Sequence, residues 1–458
     1  MKYVLITAIV FVVAIVAGSE ESVFAAKLYV AANGVDSAAC GEKKSPCRSI
    51  SRAIQNAING DTIVVGPGRY GDLNGDGVFD DPGDEAAEVG GGCYCMIKVN
   101  KLLTIEAQDG AAATVLDAGG ADLNVVRIEF SGTVFGKKKK GFTLTQAGSS
   151  GLFILPSAAG VRVIGNVAIA NGTIGFNVNG SGNVLTGNVA SANRFYGFYF
   201  DGNGNVFTGN VASVNGGDGF SFNGNGHVLT GNVANANSSN GFYFNGSGHV
   251  LTGNVASANG FSGFNFSGSG HVLTGNSALV NKRSGIFIFN SEGVDSATIT
   301  KNNLFGNNGQ QSYSFTNCGL LNQSGNSISA PNNFWGVAAG PGTLNSPQPE
   351  PADNVCDSPY SLGSNTTFAP FSAKEFKVKV KVSEELSSDA IPTEANFQLS
   401  PRTRFDFHLY TLKGQLLVRV ADEAQLVLTK HNLPNGVYVA VKIYADGRRE
   451  MVKWVVAK

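Results

Sequence analysis

The chain has 458 residues, with 33 Lys and Arg against 34 Asp and Glu, a formal net charge of −1. So even a balance argues against nucleic acid as a partner, which calls for a basic surface. Sixty glycines divide the sequence into pieces that favour strands and tight turns over long helices.

At the N-terminus, Met1-Lys2, an apolar run from Val4 to Val16 and Val23-Phe24-Ala25 have the layout of a secretory signal over residues 1–25, with cleavage expected after Ala25. The run is too short for a retained membrane span, so no transmembrane helix is expected after cleavage. Export fits the six cysteines. Cys40 and Cys47 bracket the opening of the strand-rich region and Cys318 and Cys356 its close, so each pair is a candidate staple. Cys93 and Cys95 flank Tyr94 without an assigned partner, other pairings stay open, and a cysteine metal site is the alternative. From Ser49 to Asn59, residues Ile50, Ala53, Ile54, Ala57 and Ile58 fall at helical spacing, which predicts a short amphipathic lid over the first coil.

An acidic loop follows within residues 71–92. Asp72-Leu-Asn-Gly-Asp-Gly-Val-Phe-Asp-Asp-Pro-Gly-Asp84 alternates oxygen ligands and has Gly at its sixth position, as calcium loops do. Asp72, Asn74, Asp76, the Val78 carbonyl and Asp80 fit that pattern, and Asp84 or Glu85 must close the shell because Gly83 holds the twelfth position. A structural Ca²⁺ is expected, with a solvated acidic loop as the alternative. The run Lys137 to Lys140 reads as a solvated loop that an acidic polymer would also fit.

Between Gly160 and Ser291 a 22-residue unit recurs six times. Gly182-Asn-Val-Leu-Thr-Gly-Asn-Val-Ala-Ser-Ala-Asn193 returns at Gly204, Gly226 and Gly248, and in altered form at Gly160 and Gly270. A period this short means a solenoid whose coils touch only their neighbours, ~4.8 Å apart. Strand alternation puts Leu185, Leu229 and Leu251 inside with Val184 and Thr186 outside, and Phe198 and Phe200 inside with Tyr199 outside. The Phe rows then form a stacked core, Ala190, Ala212 and Ala234 fill narrower space, and the Asn rows running from Asn166 to Asn276 and from Asn171 to Asn281 form amide ladders at bends.

Three outer features bear on chemistry. His227, His249 and His271 stack in successive coils, and flanking Gly and Val place them at an exposed corner where a transition metal such as Cu²⁺ or Zn²⁺ is conceivable. Thr186, Thr208, Thr230, Thr252 and Thr274 beside a Val row make a flat face of the kind ice-binding solenoids display, although ordinary solenoids carry Thr outside as well. From Gly141 to Asn281 the charged residues are Arg162, Arg194, Asp201 and Asp218, too few and too scattered for an evident acid pair, so no catalytic residue is assigned.

The pattern Asn-x-Leu-Thr-Gly-Asn-x-Ala followed by Gly-Phe-x-Phe resembles the repeats of the pectin-lyase-like superfamily, and most closely those of the periplasmic copper-binding NosD proteins. Residues Leu28 to Tyr70 resemble the opening segment of such proteins, and Asn332-Asn-Phe-Trp-Gly336 with Gly340-Pro341 their closing coil. The resemblance implies an all-β chain built on a right-handed parallel β-helix over residues 26–372. For activity it points several ways, because the superfamily mixes lyases, hydrolases, epimerases, adhesins and binding proteins.

After a charge-rich linker at 373–391, residues 392–458 alternate like a small antiparallel β-sandwich, with strands at 405–410, 416–420, 425–428, 437–443 and 451–456. Leu409-Tyr-Thr-Leu-Lys-Gly-Gln-Leu416, Leu433-Pro-Asn-Gly-Val-Tyr438 and the final Val-Val-Ala-Lys458 resemble the sorting domain of the Por, or type IX, secretion system. That likeness implies secretion machinery as a partner and a bacterial cell-surface location. A generic accessory sandwich is the alternative. The expectation is an exported binding or scaffold protein directed to a polysaccharide or cell-surface glycan, with a polysaccharide lyase or hydrolase, or a NosD-like copper protein, as the alternatives.

Overall fold

A computed structural model describes residues 25–88, 92–289, 296–307, 317–342, 353–357 and 363–377, and backbone strands at 405–411, 416–420, 436–444 and 449–456. The expected signal segment before Ala25, most of the expected linker and the expected strand 425–428 lie outside the described residues.

One coil shows how sequence becomes architecture. Residues 182–203 hold strands Val184–Thr186, Val189–Ser191 and Phe198–Phe200. Each pairs in parallel with its equivalent 22 residues on, Val184 with Val206, Val189 with Val211 and Phe198 with Phe220. Repetition builds three parallel sheets of 13, 11 and 10 strands; by their side chains they are the Val/Thr, Phe and Ala sheets respectively. The corners share one device, a residue in the left-handed region followed by a buried amide: Gly182 (φ 66°) before Asn183, Gly187 (φ 64°) before Asn188 and Ala192 (φ 53°) before Asn193. Glycine takes that conformation without a Cβ clash, whereas alanine takes it at a cost.

The expected facing is observed. Leu185, Leu229 and Leu251, Ala190, Ala212 and Ala234, and the paired Phe rows are all fully buried. Phe198 stacks on Phe220 at 4.7 Å between centroids and Phe200 on Phe222 at 4.5 Å, nearly parallel, so the core is a column of offset rings.

Amide ladders run alongside. Asn210 donates through Nδ2 to the Leu185 carbonyl and to Asn232 Oδ1, while its Oδ1 accepts from the backbone N and Nδ2 of Asn188. Both ladders continue beyond the periodic repeats, one through Asn302 to Asn333 and the other through Asn307 to the Asp353 carboxylate. There the sequence spacing lengthens to 26, 31 and 46, so the ladders outlast the 22-residue period.

At the N-terminal end a helix over Ile50–Asn56 covers the first coil, with the Ser49 hydroxyl accepting from the Arg52 amide. It is shorter than the expected 49–59. Ala57 already has extended backbone, and Ile58 leaves the apolar face to stand exposed. Disulfides join Cys40 to Cys47, Cys93 to Cys95 and Cys318 to Cys356, the last across paired strands of the Phe sheet. Among the described residues no helix is long and apolar enough to cross a membrane. The C-terminal strands Phe405–Thr411, Leu416–Val420, Gly436–Tyr444 and Arg449–Val456 form one antiparallel sheet of their own.

Candidate functional site

The histidine row is not where the sequence suggested. His227, His249 and His271 are fully buried, because each follows a left-handed Gly and so takes the inward slot that Asn183 and Asn205 hold in earlier coils. Each Nδ1 accepts a backbone N–H from the preceding coil, at Asn205, His227 and His249. Each Nε2 meets the carbonyl four residues before it, at Asn223, Asn245 and Ser267. A ring whose one nitrogen accepts and whose other donates is neutral and has no lone pair left for a metal. Burial holds all three below the ordinary imidazole range, His249 down to about 3. The expected exposed corner is thus corrected to a structural stack, its rings 5.0 Å apart.

The acidic loop folds on its own backbone. Asp72 is buried and accepts from the amides of Gly75 and Gly77. Asn74 Oδ1 accepts from the Asp76 amide, Asp76 Oδ1 from the Val78 amide, and Asp84 from the amides of Leu73 and Asp81. Asp76 and Asp81 converge on Asn74 Nδ2, at 3.0 and 2.5 Å. Among the described residues no three of these carboxylates bring oxygens within 4.8 Å of one another. Glu85 does not close a calcium shell. Its carboxylate is fully engaged at the lid helix, accepting from the Ile50 and Ser51 amides and the Ser51 hydroxyl at 2.6–2.7 Å. The ligand types suit calcium, but in this arrangement their oxygens are turned to loop N–H groups.

Aromatic and amide side chains come together on the outer face of the Phe sheet. Parallel register stacks Phe153, Asn177, Tyr199, Ser221, Tyr243, Asn265 and Phe287 in one row on the side of the sheet away from the core, where Phe153, Asn177, Tyr199 and Tyr243 are half-buried and Ser221, Asn265 and Phe287 buried. Beside it Tyr196 lies 5.9 Å from Tyr199 between ring centroids, and Tyr243 stacks on Phe289 at 6.0 Å. Asn223 donates to the Tyr199 hydroxyl and Asn245 to that of Tyr243. Phe195 and Phe261 stand exposed along the rim.

Asp218 sits one coil above Tyr196, buried, accepting from the backbone and side chain of Asn240 and from Ser239. Burial pushes its carboxyl up against those hydrogen bonds, and burial together with the Asp218 charge raises the Tyr196 phenol. In the sequence Asp218 is one of four scattered charges between Gly141 and Asn281 and has no evident acid partner. Its relation to Tyr196 is nonetheless written in the repeat, for Asp218 stands 22 residues after Tyr196, in the same slot of the next coil.

The sequence pattern described as "Right handed beta helix region" matches residues 117–271 and 175–341. The solenoid is a right-handed parallel β-helix. No curated protein matches the chain. Solved structures similar to this β-helix include the pectate lyase Pel9A, at 18% identity over 82% of this chain and 89% of that one with a TM-score of 0.42. The Azotobacter vinelandii mannuronan C-5 epimerase AlgE4 A-module is 15% identical over 69% and 90% with a TM-score of 0.42. The catalytic unit of a GH87 α-1,3-glucanase from Streptomyces thermodiastaticus is 12% identical over 72% and 66% with a TM-score of 0.41.

Elsewhere on the β-helix, Lys137 and Lys140 lie 3.7 and 3.2 Å from Glu106, so the lysine loop is tied to the Val/Thr sheet at its two ends. On that sheet Val184, Val206, Val228, Val250 and Val272 are half-buried while Thr230 and Thr252 are exposed. Asp201 and Asp218 lie at opposite ends of the Phe-sheet strands. Asp201 follows strand Phe198–Phe200 and Asp218 precedes strand Phe220–Phe222, so the two do not form an acid pair.

Proposed function

We propose that this β-helix is an exported carbohydrate-binding and scaffold protein that takes a glycan along the outer face of its Phe sheet. One observation carries the reading: the outward row in which Phe153, Tyr199 and Tyr243 alternate with Asn177, Ser221 and Asn265. A pyranose has an apolar face of C–H groups and an edge of hydroxyls. Rings flanked by amides and hydroxyls offer partners for both, on a rigid sheet that needs no reordering to bind. A glycan array probed with the full chain and with Tyr199→Ala/Tyr243→Ala tests this. Retention of the native chain on some glycans and its loss in the variant is expected; equal retention, or none by either, would overturn the reading.

Asp218 favours a second reading, a polysaccharide lyase or hydrolase, because a buried carboxyl with a raised pKa beside a tyrosine suits proton transfer. Release of reducing ends or of unsaturated, ultraviolet-absorbing products from a polysaccharide panel, abolished by Asp218→Asn, would support it. A panel without products would remove it.

Calcium in the Asp72–Asp84 loop belongs to the same proposal, with Asp76 and Asp81 as the carboxylates a cation would draw from Asn74; calorimetric titration that shows no uptake ends it. So does anchoring at the cell surface through residues 392–458. Secretion and retention of a chain truncated before 392 at native levels would count against that role.

A further inference from the structure

The outward row of the Phe sheet has a period of its own. Rings stand at Phe153, Tyr199 and Tyr243; Phe287 holds the next ring slot but is buried against Leu321 and the Cys318–Cys356 disulfide, with the Arg283 guanidinium 4.2 Å from its ring. Each successive ring is two coils beyond the last, with Asn177, Ser221 and Asn265 on the coils between. Core packing does not impose this alternation, since the inward rows of the same strands carry Phe on consecutive coils from Phe198 to Phe264. Two coils measure ~9.6 Å.

An extended β-1,4-linked pyranose chain turns each sugar over relative to the last. The same apolar face therefore returns at every second sugar, after about the length of two coils, and hydroxyl-bearing edges fall between. The amides between the rings suit those edges. The Oδ1 atoms of Asn177 and Asn265 are buried acceptors with no donor among the described residues. A sugar hydroxyl reaches such an oxygen once the amide turns outward, and the bond would satisfy an acceptor otherwise left unpaired.

Charge narrows the ligand further. From Phe153 to Tyr243 the row itself is uncharged, and Asp218 beside it is bonded to Ser239 and Asn240. Arg127, before Phe153, is paired with Glu129 at 2.9 Å. A polyuronate would bring a carboxylate on each sugar to a face without a row of cations, whereas a neutral polymer loses nothing there.

We propose that this face binds a neutral β-1,4-linked glycan lying along the solenoid axis, one disaccharide to every two coils. The inference rests on the carbohydrate reading above and names its ligand class. Calorimetry on the full chain would compare β-1,4-linked glucose and mannose oligosaccharides, from disaccharide to hexasaccharide, with α-1,4-linked glucose and uronate oligosaccharides. Affinity is expected to climb with each added disaccharide of the β-1,4 series and to be weakest for the uronates.

The double variant Ser221→Tyr/Tyr243→Ser keeps the composition but moves a ring to the neighbouring coil. It should weaken the β-1,4 tetrasaccharide about tenfold at an unchanged thermal midpoint. Should that variant fail to fold, Tyr199→Ala alone should remove one step of the length series. Tighter binding of uronates or α-linked chains would overturn this inference and leave the carbohydrate reading standing. Absence of binding to every glycan would overturn both.

Discussion

Protonating any ring of the His227, His249 and His271 stack would break a hydrogen bond, because Nδ1 accepts a backbone N–H and Nε2 donates to a carbonyl. The folded values lie below the ordinary 6.5, through burial first, with His249 at about 3. Between those limits the unfolded chain binds protons that the folded chain refuses, so the stack's contribution is complete above 6.5 and is lost as pH falls toward 3. The carboxyls of Glu85 and Asp218, raised by burial, act in the opposite sense: the folded chain takes their protons first, so their penalty grows as pH rises. The variant His227→Asn/His249→Asn/His271→Asn keeps the acceptor that Asn183 and Asn205 supply but not the second bond, for Nδ2 of both those residues lacks a partner. It should be less stable than the native chain near pH 7, by about 1 kcal/mol per site, and the gap should close as pH falls below about 5. Urea midpoints across that range check this; a gap indifferent to pH would count against a neutral stack. In the amide ladder, Asn210→Asp removes the donor to Leu185 O and Asn232 Oδ1 and buries a charge. A loss of at least about 3 kcal/mol is expected by the same measurement.

Single turns and caps set the next level. The left-handed corner filled by Ala170, Ala192, Ala236 and Ala258 holds Val214 at φ 59°. A β-branched residue there carries roughly 1–2 kcal/mol of strain. Val214→Gly should therefore raise the unfolding free energy by about 1 kcal/mol in urea melts; a fall would mean that the Val side chain contributes more by packing than it costs in strain. At the lid, Glu85 serves two amides and a hydroxyl of a helix that begins 34–35 residues earlier. Glu85→Ala should cost about 2 kcal/mol and speed amide exchange over Ile50–Asn56 while leaving the Phe sheet protected. Unchanged exchange in the helix would refute the capping role. The calcium motif made Glu85 look like a metal ligand because local spacing carries no trace of a contact so distant. Tyr199 is legible as outward, and Tyr243 as its equivalent two coils on, since strand alternation is local. Their association with Tyr196 and Asp218 is not legible from alternation, because those residues lie in the turns before the strands.

Across the molecule, the repeated coils bond to what lies one period away. Removing one whole period, residues 204–225, rejoins Asn203 to Gly226 in the sequence context of Asn203-Gly204 and restores every ladder. Such a chain should fold, with a modestly lower thermal midpoint, as nearest-neighbour stacking requires. Loss of cooperative melting would show coupling beyond adjacent coils. The sequence by itself determined the solenoid, its inward rows and its amide ladders, because contacts at a fixed offset of 22 residues turn periodicity directly into neighbourhood. Only the tertiary structure decided which way a corner side chain points and where an aperiodic segment docks. A left-handed Gly226 turns His227 inward, and a lid helix claims Glu85. Both outcomes depend on backbone angles and distant partners that no repeat encodes.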